Sequence, residues 1–419
     1  MRHSSPNPLF AVRLPWLAST IVLLSALVSI QMSQAQTFTV LHSFAGKPND
    51  GRMPTAPLIQ DAAGKLYGTT FGAGAFGGGT VFKLDASDHE TVLHSFWAGK
   101  WGVNPGGGLV QDRAGNLYGT TRTGGDLRCQ FNRGYGCGTV FKLDTAGHLT
   151  VLQRFHGTNG DGPNAALILD AAGNLYGTTI GGGPAQAGTV FRVDTTTGHL
   201  TVLHSFSGGT AGLAPSGGLV RDAAGNLYGT TGAGGDLNCN FGEGCGTVFK
   251  LDTADDEIVL QAFPGGADGS APDGGVVLDA AGNLYGTTIA GGNTACSQGC
   301  GVVFKVDPVT LQETVLYSFT GLADGAFPAA GVILDSAGNL YSTTSRGGKT
   351  KSAGGGFGVV FKLDTTGTET VLHTFASTDG AQPEASLLRD AAGNLYGTTA
   401  FGGSSACKNG CGVAFELAP

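Results

Sequence analysis

The pentapeptide Leu-Tyr-Gly-Thr-Thr starts at Leu66, Leu117, Leu175, Leu227, Leu284, Leu340 and Leu395, with Ser342 replacing the glycine of the sixth copy. Tyr67 and Tyr118 are 51 residues apart and Tyr285 and Tyr341 are 56 apart, which sets a period near 55 residues. A fixed period of that length restricts the chain to an array, a solenoid or a propeller.

Within one period four short runs have strand character: residues 56–60, 66–70, 79–84 and 91–96, here strands a, b, c and d. They are rich in Val, Phe, Tyr, Thr and Leu and are bounded by Gly, Asp or Pro, and no helical periodicity competes. Strands a and b are joined by Asp-Ala-Ala-Gly-Asn or a near copy, as at 170–174 and 390–394. Its aspartate (Asp61, Asp112, Asp170, Asp222, Asp279, Asp335, Asp390) can bond its own backbone and its glycine can take positive φ, which is hairpin chemistry. As metal ligands these acids would each supply one oxygen where several must converge. Strand c is Val-Phe-Lys-Leu-Asp or similar, and strand d is Val-Leu-x-x-Phe, closing on Phe44, Phe96, Phe155, Phe206, Phe263, Phe319 and Phe375. Both carry apolar residues on both parities, so both faces should be buried.

The strand count decides the closure. A d strand at 37–44 precedes the first pentapeptide, whereas the last repeat ends after strand c at 414–417. A ring whose last blade is completed by the N-terminal strand uses every element, while an open solenoid leaves an unpaired edge. The expectation is an all-β chain: a seven-bladed β-propeller of four-stranded blades over residues 36–419.

Residues 1–35 read as a signal peptide: Arg2 and Arg13 precede or flank the apolar run 16–30, and Ser33-Gln34-Ala35 has the small-x-small pattern of a cleavage site. The run is short for a spanning helix. Without the two arginines, 21 basic side chains face 31 acidic ones, a net charge of −10, which argues against nucleic acid or an anionic membrane as partner. The 74 glycines sit at fixed repeat positions between strands, so they mark turns rather than disorder.

The repeats resemble the GloVer tandem-repeat family of exported bacterial proteins through Gly-Asn-Leu-Tyr-Gly-Thr-Thr at 225–231, Gly234-Gly235, Gly-Thr-Val-Phe-Lys-Leu-Asp at 246–252 and Thr-Val-Leu-His-Ser-Phe at 201–206. The resemblance implies export and a repeat domain, often with a separate C-terminal anchor, and no particular reaction. With the chain ending at Pro419 directly after strand c, the expectation is a soluble secreted or periplasmic monomer without an anchor.

Eight cysteines fall into four close pairs, Cys129 with Cys137, Cys239 with Cys245, Cys296 with Cys300, and Cys407 with Cys411, each flanking a b–c loop. Proximity and an oxidising destination favour local disulfides. Zinc is the rival reading, weakened because the pairs belong to different blades and their spacing varies.

Several fragments imitate catalytic motifs. Gly72-x-Gly74-x-x-Gly77 matches a dinucleotide fingerprint but runs into strand c instead of a helix. His89-Glu90 with His94 has the wrong spacing for a zinc-protease helix and lies in a strand. His42, His94, His204 and His373 share one repeat position with Gln153, Gln261 and Tyr317, which reads as packing. Most d–a connections carry an acid before the proline (Asp50, Asp161, Asp268, Asp324, Asp379), read as turn residues.

No nucleophile, metal or cofactor motif stands out, so the expected class is a non-catalytic binding module for an extracellular polymer or protein. The alternative is an extracellular carbohydrate-active enzyme, a glycoside hydrolase or lyase, using loop-face carboxylates such as Asp161, Glu243 and Glu384. Subtracting the repeat consensus leaves one unusual sector. Trp97 and Trp101 replace the usual Asp-Gly of a connection, and the following b–c loop carries Arg122, Arg128, Phe131, Arg133 and Tyr135. Trp97, Trp101, Arg128, Arg133 and Tyr135 are therefore the expected contact surface, since Trp, Tyr and Arg dominate binding hot spots.

Overall fold

Every Leu-Tyr-Gly-Thr-Thr copy is strand b of a four-stranded antiparallel sheet, and seven such sheets form the blades of a propeller in this computed structural model. Besides Met1 and His3, the structure describes residues 36–129, 134–349 and 352–419, so the signal-peptide reading otherwise falls outside the described residues. Residues 36–419 form one compact unit. Blade 4 is typical: strand a Val220–Arg221, b Leu227–Thr231, c Thr247–Leu251 and d Glu257–Ala262. Among the described residues no helix is long and apolar enough to cross a membrane.

The turn aspartate organises the a–b hairpin. Asp222 Oδ1 accepts the Asn226 N–H at 2.8 Å, while Oδ2 accepts the Asn226 amide at 2.7 Å and the Tyr228 hydroxyl at 3.1 Å. The tyrosine-to-aspartate bond recurs in all seven blades. Its oxygens are thus committed to the turn, as an Asx motif requires. The two threonines have different duties. The second hydroxyl (Thr70, Thr121, Thr179, Thr231, Thr288, Thr344, Thr399) donates to the carbonyl two residues on, tying strand b to its own loop. The first reaches the next blade at Thr69, Thr178, Thr287, Thr343 and Thr398, as Thr287 to Ala330 O at 2.8 Å and Thr398 to Ala56 O at 3.1 Å, but not at Thr120 or Thr230.

That inter-blade bond corrects one expectation. Strand a was expected over 56–60 but pairs only at Ile59–Gln60. Pro57 has no N–H to give, and the Ala56 carbonyl is taken by Thr398 of the neighbouring blade. Nearest the axis, bonds from threonine hydroxyls to backbone carbonyls run between blades where a ladder would otherwise continue.

The N-terminal strand Thr37–Ser43 closes the ring by pairing with Val413–Ala418, from Thr37 opposite Ala418 to Ser43 opposite Val413. The seal is also apolar. Each d-strand phenylalanine packs edge-to-face on the strand c phenylalanine of the next blade at 5.0–5.4 Å, including Phe44 on Phe82 across the junction of first and last repeats. Twelve of these fourteen rings are the largest fully buried side chains among the described residues. Burying them between sheets supplies the main adhesion between blades.

Candidate functional site

The b–c loops and d–a connections share one face because backbone bonds lace them together. Val103 and Thr123 exchange N–H···O bonds of 2.9 and 3.2 Å, and the equivalent bridge recurs at 161/181, 213/233, 270/290, 326/346 and 381/401. The residue before each connection proline is left-handed, as Met53 at φ 56° and Gln382 at φ 55°. Its N–H donates to the preceding blade, as Met53 to Cys411 O at 2.8 Å, which offsets a conformation that β-carbon-bearing residues disfavour.

The four expected cysteine pairs are disulfides, and the described chain has no free cysteine. They brace the connections as well as their own loops: a β-carbon on Gly265 would lie 2.6 Å from the Cys239 sulfur, and one on Gly321 2.6 Å from that of Cys296. Only glycine lets connection and disulfide approach so closely.

In the sector singled out by subtraction, the indoles of Trp97 and Trp101 lie 5.7 Å apart, with the Lys100 ammonium 5.2 Å from the Trp101 ring. Phe76, from the b–c loop of blade 1, meets Trp97 at 5.4 Å and is 63% exposed, while Trp97 is 38% exposed. Sequence reasoning missed Phe76 because it lies 21 positions before Trp97, in another loop of a glycine-rich stretch. Tyr135 is 69% exposed, and its carbonyl accepts the Gly124 N–H at 2.7 Å; Gly124 in turn abuts Gly102 beside Trp101. Arg128 is spent locally on a bidentate pair with Asp126, both bonds 3.0 Å. Arg133 and Phe131 lie outside the described residues.

A second concavity runs along the axis. The residue after each connection proline lines it, among them Thr55, Asn164, Ser216, Asp273 and Glu384, around a cavity of about 550 Å³. Ser216 donates to Asp273 Oδ1 at 2.6 Å. Burial raises the Asp273 carboxyl above the usual range, and it raises Glu384 too, against the opposing charge of Arg346. Burial also raises Asp161, opposed by Arg122, which lines the cavity. Of the three acids expected from sequence, only Glu384 lines this cavity, whereas Glu243 is exposed on a b–c loop. Asp273 was missed because its position varies from repeat to repeat, holding Thr55, Gly106, Asn164, Ser216, Ala329 or Glu384 in the others.

The structure also corrects the register of the connection acids. Asn159, not Asp161, occupies the place of Asp50: its Oδ1 accepts the His156 N–H at 2.9 Å as Asp50 Oδ2 accepts that of Ala45 at 2.7 Å. The interchangeable His/Gln/Tyr position lies in the outer seam between blades. There His204 meets Glu257 at 3.2 Å, Gln261 donates to Glu313 at 2.5 Å, and His373 stacks on Phe38 at 3.6 Å. The Gly72-x-Gly74-x-x-Gly77 fragment is a two-residue strand and a loop, with no helix after it.

The model of the Gloeobacter/Verrucomicrobia repeat matches residues 25–241, 129–298 and 239–419. The chain belongs to that family. No curated protein matches its sequence. Among solved structures, this Gloeobacter/Verrucomicrobia repeat protein is similar to two proteins of B. thetaiotaomicron described as extracellular domains of hybrid two-component systems. They share 12% and 13% identity over 91% and 88% of this chain and 39% of each of theirs, with TM-scores of 0.56 and 0.52. It therefore spans about two fifths of their length. An oligogalacturonate lyase in complex with manganese matches at 12% identity over 92% of this chain and 96% of its own, with a TM-score of 0.52. Identities this low establish the shared propeller fold alone.

Proposed function

We propose that this repeat protein is an exported, non-catalytic binding module that holds an extracellular glycan polymer on its loop face. The reading is carried by the Phe76, Trp97 and Trp101 rings, which break the repeat consensus and meet one another at an exposed edge. Flat aromatic faces stack on sugar rings at little entropic cost, and the Lys100 ammonium beside Trp101 suits an acidic sugar. Tyr135 extends the surface through the bonded Gly124 segment, and Arg133 completes the proposed patch by sequence. Arg128 contributes less, since Asp126 already neutralises it. Four disulfides support an oxidising destination, in keeping with removal of residues 1–35 on export.

A screen of the purified protein against glycans and cell-wall fragments tests this. Binding should be lost in Trp97→Ala and Trp101→Ala and kept in Asp273→Asn. Ligands bound equally by all three variants and wild type would refute the aromatic platform. Asp273 and Glu384 in one axial cavity support a second reading, a carbohydrate-active enzyme. Released oligosaccharide that disappears in Glu384→Gln would establish it.

A further inference from the structure

Each outer seam joins three repeat positions: the His/Gln/Tyr of one blade's d strand, the residue before the conserved connection glycine, and the first or second d-strand residue of the next blade. At most seams the set is mixed or apolar, as His94 with Trp101 and Leu149, or His204 with Ala211 and Glu257. Three seams bring two carboxylates together: Asp50 with Glu90, Asp268 with Glu313, and Asp324 with Glu369. In two of these the third member is neutral and spends a proton on a carboxylate, Gln261 on Glu313 and Tyr317 on Asp324. Among the described residues, only the seam between the closing N-terminal strand and blade 1 adds a histidine, His42.

There one ligand atom each of His42, Asp50 and Glu90 lies within 4.8 Å of the others. His42 Nε2 and Asp50 Oδ1 are 3.3 Å apart, close to the roughly 3.4 Å between two ligands at about 2.1 Å from a tetrahedral zinc. Asp50 is already oriented by the N–H groups of Ala45 and Gly51, both at 2.7 Å, as outer-shell donors orient a ligating carboxylate. Glu90 Oε1 is buried and accepts no hydrogen bond. The same is true of Glu257, Glu313 and Glu369, so the histidine and the second acid, rather than the bare oxygen, distinguish this seam. The other His/Cys/Asp cluster of the described chain contains Cys129 and Cys137, which are spent in a disulfide.

We infer that His42, Asp50 and Glu90 form a divalent transition-metal site, of zinc type, that pins the ring-closing N-terminal strand to blade 1. One imidazole and two carboxylates are a borderline donor set that suits zinc better than calcium or magnesium, with water as the fourth ligand. The ion would neutralise two acids facing one histidine and join three segments of chain, so its binding is coupled to closure.

The test is calorimetric titration of the purified, chelator-treated protein with Zn²⁺, together with its melting temperature with and without the ion. One Zn²⁺ per chain and a raised melting temperature are expected, with Ca²⁺ and Mg²⁺ giving neither. His42→Gln and Glu90→Gln should each weaken binding at least tenfold, whereas His204→Gln should not change it. Glu90→Gln removes no hydrogen bond, so its melting temperature in chelator reports whether the ring is intact. Absence of Zn²⁺ binding by the wild type, or binding unchanged in Glu90→Gln of wild-type stability, overturns the inference.

Discussion

Replacing Phe44 by alanine probes whether the ring is sealed where its two ends meet. Phe44 directly follows the N-terminal strand Thr37–Ser43, is fully buried, donates its N–H to Gly412 O at 3.0 Å and packs on Phe82 at 5.1 Å. Phe206 is its internal twin: fully buried, bonded to Gly188 O at 3.0 Å and packed on Phe249 at 5.1 Å. Deleting a ring from such a pocket costs about 3–5 kcal/mol, of which the edge-to-face pair accounts for roughly 0.5–1.5 kcal/mol. Because the two environments match, Phe44→Ala and Phe206→Ala should lower the unfolding free energy by the same amount, to within about 1 kcal/mol. Urea unfolding followed by far-UV circular dichroism and by tryptophan fluorescence measures both. A frayed N-terminal strand predicts a different pattern, in which Phe44→Ala costs under about 1 kcal/mol while Phe206→Ala still costs 3 or more. That outcome would refute closure by the N-terminal strand.

Two further outcomes follow from the chemistry of the loops and seams. Denatured, unreduced mature protein should show no titratable thiols, since all eight cysteines are paired, and eight reactive thiols would rule the bridges out. Burial, reinforced by Asp268 and Asp324 respectively, raises the Glu313 and Glu369 carboxyls from 4.5 to about 7. Between those values the folded state holds protons that the unfolded chain releases, so this stability is full below about pH 4.5 and lost as pH rises through 7. The melting temperature should therefore be higher at pH 5 than at pH 8, and the slope should flatten in the Glu313→Gln/Glu369→Gln variant. An identical slope in wild type and variant would exclude these carboxyls as its source.

The number of blades, the a–b hairpins, the disulfides and the strand that closes the ring were legible in the sequence. The hairpins and disulfides rest on short-range interactions within a repeat, such as the bond from Tyr228 to Asp222 six residues away, whereas the closure was legible from a count of strands, the first d strand supplying what the last repeat lacks. Which departures from the repeat meet in space emerges from the folded ring. Phe76 joins Trp97 and Trp101 across two loops, Asp273 faces the same axial cavity as Glu384 from a blade two repeats away, and His42 meets Glu90 across the closure. The same projection explains why strand a is short, because the Ala56 carbonyl is taken by Thr398 at the other end of the chain. A repeat pattern specifies each blade from within, but an axial or seam site takes single residues from different blades. Their distances are set by how the sheets pack around the ring, through the phenylalanine contacts, and local sequence carries no record of that separation.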